Sequence, residues 1–388
     1  MHNFKYNVGT KVLFGEGQIK NIGKEILEYT DRVLLVYGGG SIKKNGIYND
    51  TVNELKENNI KYFELSGIDP NPRIESVREG VKICRENNLG GVLAVGGGSS
   101  IDCAKVIAAG VKYDVDPWEL VLDRNLIKVS LPVFSVLTLS ATGSEMNGNA
   151  VISNIVTNEK YGTYGECLIP KASVLDPTYT YTVSKRQTAS GTADIISHTL
   201  ENYFTNISGG YLQARMAESI LKTCFHYGPI AYNNPNNYDA RSNLMWASSW
   251  AINGLISLGV ANKWSVHPME HELSAFYDVY HGEGLAVLTP HWMKHVLNDD
   301  TVDRFVEYGI NVWNIDSSLD KYEIANSAIE KTRNFFKDEL SMPQTLTELG
   351  IGTENIDKMA EKAVRGKSIK GFVELDKDDV KKIYINAI

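Results

Sequence analysis

The chain has 388 residues, more than one ordinary domain holds, and 43% of them are hydrophobic, so two domains with large cores are expected. A net charge of −8 and a pI near 5.6, without a long lysine or arginine run, exclude nucleic acid and an anionic membrane surface as main partners and leave a small molecule. Cys84, Cys103, Cys167 and Cys224 form no C-x-x-C pair, and Met1 to Tyr6 lacks the basic start and apolar core of a secretory signal, so reduced thiols and a cytoplasmic location are expected.

Residues 32–37 read as a buried strand ended by Gly38-Gly39-Gly40-Ser41, and Tyr48, Val52 and Leu55 mark one face of a helix running to about residue 58. Residues 61–65 are a second strand, 74–88 a helix, 91–95 a third strand, and Gly96-Gly97-Gly98-Ser99-Ser100 opens a helix over 101–110. Further strands are expected at 133–137, 150–152 and 172–175. Strand and helix in alternation imply a Rossmann-like parallel sheet covered on both faces, with residues 1–183 as an α/β domain.

Beyond Val183 helical periodicity takes over, at 189–205, 211–227, 240–259, 322–340 and 377–387, so residues 184–388 are expected to form an all-α domain. Residues 242–262 carry no charge and are long enough to span a bilayer, but interspersed Ser, Asn and Gly favour a helix buried in a soluble bundle.

All histidines except His2 fall between His198 and His295. Asp194 and His198 stand four apart, a rotation of about 40° and a rise of about 6 Å on a helix, so both side chains point the same way and can share an ion. With His267 and His281 they offer one carboxylate and three imidazoles, a donor set that suits Fe(II) or Zn(II) and leaves a position for substrate or water. Taken singly, each histidine is more often a hydrogen-bonded core residue than a ligand, and Asp194 could equally stabilise an early helical turn. His271, one helical turn beyond His267, is a candidate proton relay or a packing histidine. His226 and His295 read as structural, and Trp118, Phe134 and Trp264 are candidates to shape an apolar pocket, although aromatics at such spacing are usually core.

A glycine turn between a strand and a helix N-terminus offers backbone N–H groups and a positive dipole end to a pyrophosphate, although tight turns use glycine for their own sake. Gly97, Gly98 and Ser99 are the candidate cradle, and the order is neither G-x-G-x-x-G nor a P-loop. After the first strand, Gly38, Gly39, Gly40 and Ser41 stand where a carboxylate would grip an adenosine ribose, and Lys43 and Lys44 follow. NADP(H) is therefore expected to be preferred over NAD(H), the alternative being a surface turn with solvated lysines.

Gly96-Gly97-Gly98-Ser99 with Asp102 and Lys105, the run from Thr138 to Glu145, Gly191-Thr192-Ala193-Asp194 with His198, and His267-x-x-x-His271 with His281-Gly282 together resemble the iron-containing (group III) alcohol dehydrogenases. The Tyr37 to Lys43 start and the Gly371-Phe372-Val373 ending are most similar to the butanol dehydrogenase and broad aldehyde reductase branch, and the resemblance spans almost the whole chain. It implies that Asp194, His198, His267 and His281 bind one divalent metal at a cleft between the two domains. It also implies cofactor contacts from Asn71, Gly98, Ser99, Thr138, Thr142, Asn147, Asn149 and Lys160, and a homodimer.

The implied reaction is hydride transfer between nicotinamide C4 and an alcohol or aldehyde at the metal, with short-chain primary alcohols such as butanol as substrates. Competing expectations are a glycerol dehydrogenase type, a dehydroquinate synthase-like enzyme and a non-catalytic nucleotide-binding protein. Apart from Lys263, the metal segments carry almost none of the cations that an anionic sugar-acid substrate would need.

Overall fold

The computed structural model describes residues 1–388. Eight strands come first: β1 (Lys11–Phe14), β2 (Arg32–Tyr37), β3 (Lys61–Leu65), β4 (Gly91–Gly96), β5 (Val133–Leu137), β6 (Asn149–Asn154), β7 (Glu159–Tyr164) and β8 (Ala172–Leu175). All but β6 and β7 form one parallel sheet in the order β1-β8-β5-β4-β2-β3. Six helices accompany them: α1 (Ile22–Leu27), α2 (Ser41–Lys44), α3 (Ile47–Glu57), α4 (Ile74–Glu86), α5 (Gly98–Gly110) and α6 (Pro117–Leu122).

The central strands β2, β4 and β5 are nearly continuous apolar runs because both faces of the sheet are covered there. Successive side chains point to opposite faces, so Val33, Leu35, Leu93 and Val95 pack with Ile22, Ile26 and Val52 of α1 and α3. Leu34, Val36, Val92 and Ala94 pack on the other side with Ile74, Val77, Ile101 and Ile107 of α4 and α5. Residues 150–152 do not extend this sheet as expected. They belong to β6, which pairs antiparallel with β7 across a short turn containing Asn158 at φ 50°, while Val151 N–H donates to Asp102 Oδ2 (2.8 Å).

From β2 the chain passes to β3 on one side and then returns to β4 on the other. The carboxyl ends of β2 and β4 therefore flank a topological switch point, where open α/β sheets bind ligands.

The later helices are α7 (Lys185–Tyr203), α8 (Tyr211–Asn233), α9 (Tyr238–Ile252), α10 (Val266–Tyr277), α11 (His281–Val296), α12 (Val302–Trp313), α13 (Lys321–Asn334), α14 (Ile356–Val364) and α15 (Lys377–Asn386). Periodicity pointed to five of them. In α10 and α11 the pattern is broken by Pro268, Gly282, Gly284 and Pro290, which the packed structure tolerates. α9 stops at Ile252, short of the expected 259, because Gly254 turns left-handed at φ 94°. No helix is long and apolar enough to cross a membrane.

The chain divides into two compact units, one of residues 7–183 with 235–249, the other of residues 1–6, 184–234 and 250–388. In the first, Met245 joins the core of the α4/α5 face and Ser249 Oγ donates to the buried Glu145 carboxylate (2.5 Å). In the second, the Met1 amino group donates to the Ser208 carbonyl (2.8 Å) and His2 N–H to the Gly259 carbonyl (2.8 Å). Chain order alone does not place these two segments.

Candidate active site

α7 starts behind an N-cap in which Ser184 Oγ accepts the Gln187 N–H (3.2 Å), and it stays helical through Tyr203. Asp194 and His198 consequently share a face, as their spacing predicts. The first turn of α11 lies against this helix: Gly282 N–H donates to Ser190 Oγ (3.1 Å), and a Cβ on Gly282 would stand 2.0 Å from the Ser190 carbonyl oxygen. Glycine alone admits that approach, and it sets His281 beside Asp194. α10 brings His267 in its first turn.

Asp194 Oδ1 ends 3.4 Å from His198 Nε2, 3.7 Å from His267 Nε2 and 3.6 Å from His281 Nε2. Asp194 Oδ1 and His267 Nε2 are buried and make no hydrogen bond. Such orphaned groups are costly unless something occupies the space between them. Ligand bonds of about 2.0–2.2 Å in a tetrahedral set place ligand atoms roughly 3.4 Å apart, and the ligand atoms of Asp194, His267 and His281 group closely enough to hold one small divalent ion, with His198 Nε2 reaching the same carboxylate oxygen from its edge.

The His198 and His267 rings stack (centroids 4.7 Å apart, 13° between planes), and Trp264 covers both, at 5.4 Å and 4.7 Å. Trp264 thus belongs to the site and is not simply a core aromatic. The side chains of Asp194, His198 and His267 are 4%, 5% and 6% exposed, against 25% for His281, so the cluster opens on the His281 side.

Two carboxylates stand behind the histidines: Glu201 Oε1 faces His267 Nδ1 (3.2 Å) and Glu270 Oε2 meets His281 Nδ1. Burial would raise the Asp194 pKa, but His198 and then His267 and His281 outweigh it and hold this carboxyl well below its usual range. Burial likewise disfavours charge on His267, yet Asp194 and Glu201 push its pKa up to about 9. A position that grips a proton this firmly has a negative potential suited to a cation.

His271 lies one turn beyond His267 on α10, with its ring 5.8 Å from that of His281. Its nitrogens gather with Glu270 and His281 in a second potential metal group. There, however, Glu270 meets the His281 nitrogen opposite to the one facing Asp194, which makes this group the outer layer of the first. The sequence reading passed over Glu201 and Glu270, although Glu201 is seven residues from Asp194 on the same helical face.

In the α/β unit, Tyr37 of β2 pairs with Val95 of β4, so the Gly38–Ser41 and Gly97–Ser99 turns leave adjacent strands at the same edge. A Cβ on Gly98 would stand 2.3 Å from Thr142 Oγ1, and Gly97 lies under Leu139, so these glycines are needed by the 138–149 loop as well as by any phosphate. Ser99 Oγ donates to the Pro70 carbonyl, beside the buried Asn71, and Thr138 N–H donates to the Gly96 carbonyl (3.0 Å). Gly38 to Ser41, Asn71, Gly97 to Ser99, Thr138 and Thr142 therefore cluster around the carboxyl ends of the strands.

Asn147 and Asn149 serve the framework. The fully buried Lys105 donates to Ser144 Oγ (2.7 Å), Asn147 Oδ1 (3.2 Å) and the Asn149 carbonyl (2.7 Å), while Asn147 Nδ2 donates to the Gly143 carbonyl (2.8 Å). Burial lowers the Lys105 pKa to about 8 against the pull of Asp102 and Glu145. Lys160 is buried on β7, in register with Ser153. On the next strand, Glu64 accepts from the Tyr37 and Tyr48 hydroxyls (2.5 and 2.6 Å) and lies 3.8 Å from Lys43 Nζ.

Residues 9–177 match the iron-containing alcohol dehydrogenase family, and residues 188–388 match the C-terminal region of the Fe-containing alcohol dehydrogenase family. The chain is 58% identical over 386 residues to NADH-dependent butanol dehydrogenase A of Clostridium acetobutylicum, covering 99% of each chain. It is 40% identical over 366 residues to the NADPH-dependent aldehyde reductase YqhD of Escherichia coli, covering 93% of each. The crystal structure of NADH-dependent butanol dehydrogenase A from Thermotoga maritima superposes with a TM-score of 0.95 at 38% identity, over 100% of this chain and 99% of that one. The chain belongs to the iron-containing alcohol dehydrogenase family, on its butanol dehydrogenase and aldehyde reductase branch.

Proposed function

We propose that this protein interconverts short-chain primary alcohols, such as butanol, and their aldehydes with a nicotinamide dinucleotide, using one divalent ion held by Asp194, His198, His267 and His281. The carrying observation is the convergence of three imidazole Nε2 atoms on the buried, unpartnered Asp194 Oδ1. When bound, Fe(II) or Zn(II) supplies Lewis acidity toward an alcohol or aldehyde oxygen, and the dinucleotide supplies hydride chemistry.

The chain's own residues do the rest. Trp264 and the buried His198 and His267 exclude water on three sides, and the half-buried His281 side admits substrate. His271, beside His281, holds and moves the proton released or taken up at the substrate oxygen. Gly97, Gly98 and Ser99 take the pyrophosphate at the start of α5, with Gly38, Gly39, Gly40, Ser41, Asn71, Thr138 and Thr142 around it and Asn147, Asn149 and Lys160 behind.

NADP(H) is the preferred cofactor in this reading, since no carboxylate follows Tyr37 directly and Ser41 and Lys43 can meet a 2′-phosphate. One observation favours NADH: Glu64 lies 3.8 Å from Lys43 and offsets its charge, and the relative at 58% identity is named NADH-dependent. The protein is further proposed to act as a cytoplasmic homodimer, which light scattering and cell fractionation test. The deciding assay follows oxidation of NADPH and NADH with butanal and an aldehyde panel, before and after chelation and metal return. Turnover that persists with metal absent by elemental analysis overturns the proposal, and a higher kcat/KM with NADH overturns the cofactor preference.

A further inference from the structure

Glu201 sits on α7 in register with Asp194 and His198, at positions i, i+4 and i+7 of one helical face, and is 4% exposed. Its Oε2 accepts the Ser265 N–H (2.8 Å), and its Oε1 accepts the N–H groups of Val266 (2.7 Å) and His267 (2.9 Å) while facing His267 Nδ1 (3.2 Å). Ser265 stands at the N-cap position of α10 and makes no side-chain cap of its own. The first donors of α10, which every helix leaves without internal partners, are therefore satisfied by a carboxylate from a different helix.

Two consequences follow from this one group. The α7 to α10 spacing is fixed by three backbone hydrogen bonds, and that spacing sets the gap between Asp194 Oδ1 and His267 Nε2. The carboxylate also takes a donor from Nδ1, so when an ion displaces the second proton of this imidazole the remaining one stays on Nδ1 and Nε2 is free to ligate. Glu270 treats His281 Nδ1 in the same way, but without capping a helix that carries a ligand.

We propose that Glu201 is the positioning residue of the metal site, a buried carboxylate that fixes both the place and the tautomer of His267 and so sets the affinity for the ion. The proposal rests on the metal reading given above. Its effect lies in the range known for outer partners of metal-binding histidines, about 10–100-fold in affinity.

The test uses the full-length protein stripped of metal, with Zn(II) affinity measured by competition against a chromophoric chelator and the site geometry read from Co(II) absorption. Glu201→Gln keeps one neutral acceptor oxygen for the α10 N–H groups, turns its amide NH2 toward the rest, and removes the charge behind His267. It is expected to retain its far-ultraviolet circular dichroism, bind Zn(II) about 10–100-fold more weakly and shift the Co(II) bands. Glu201→Asp keeps the charge on a shorter arm and is expected to fall between Gln and wild type, which gives a second reading should the Gln variant not fold. A folded variant with a lowered Tm but wild-type Zn(II) affinity and Co(II) bands would make Glu201 a helix cap only and overturn the inference. Absence of Co(II) uptake by the wild-type chain would instead overturn the metal reading itself.

Discussion

Asp194 Oδ1 and His267 Nε2 face each other 3.7 Å apart, both buried and neither hydrogen-bonded, although 73 residues of chain separate them. The distance is beyond a hydrogen bond, so the attraction across the gap is electrostatic and the space suits an ion bonded to both. Asp194→Ala and His267→Ala are each expected to lose metal and turnover together, by more than the roughly 100-fold typical of outer partners. Elemental analysis of purified, folded variants alongside butanal reduction checks this. A variant that retains a full complement of metal contradicts it.

The His267 pKa, raised from 6.5 to about 9, makes metal uptake depend on pH. In the metal-free protein the stability from this protonated imidazole is fully present below about pH 6.5 and is lost as pH rises through about 9. An incoming ion must displace that proton. Apparent Zn(II) affinity should therefore climb with pH by up to about tenfold per unit and level off above about 9, with protons released on binding. Calorimetry in buffers of different ionisation enthalpy counts those protons, and a flat profile from pH 6 to 9 counts against the scheme.

His271→Ala should keep the metal, since His271 lies outside the four side chains that surround the gap, yet slow turnover by about 100-fold or more, as expected for loss of a positioned proton carrier. The pH dependence of kcat should change shape at the same time. Unaltered kcat and pH profile would reduce His271 to a packing residue.

Gly282→Ala places a methyl 2.0 Å from the Ser190 carbonyl oxygen, a backbone atom that cannot rotate away. Overpacking of this kind costs about 1–3 kcal/mol, and here it also pushes His281 from Asp194, so both Tm and metal content should fall. Gly39→Ala meets nothing within 4 Å and should leave Tm within experimental error. Thermal melts of the two variants make the comparison.

Lys43→Ala should lower kcat/KM for NADPH more than for NADH, by about 10-fold or more, if its ammonium meets a 2′-phosphate. Glu64→Gln should act in the opposite sense, by freeing Lys43 from the carboxylate 3.8 Å away. Equal effects on the two cofactors would leave Lys43 a solvated surface residue.

The sequence alone determined the features that depend on short periods. Continuous apolar runs announced β2, β4 and β5, because strands buried on both faces need no alternation. The four-residue interval between Asp194 and His198 announced a shared ligand face, because helical geometry fixes that angle whatever surrounds it. Strand β1, only four residues long and half exposed, carries no such signal, nor does β7, and residues 150–152 read as one more strand of the sheet because they fit either pairing equally well.

Tertiary structure alone decided how the distant pieces meet. That Gly282 lets α11 approach α7, that residues 235–249 supply Met245 to the core of the sheet, and that Glu201 caps α10 all depend on contacts with partners tens of residues away. In the last case the partners are backbone N–H groups, which almost every residue possesses, so no residue type marks them in the sequence. Helical spacing put Asp194 and His198 on one face, whereas close packing between helices brought His267 and His281 beside the same carboxylate oxygen.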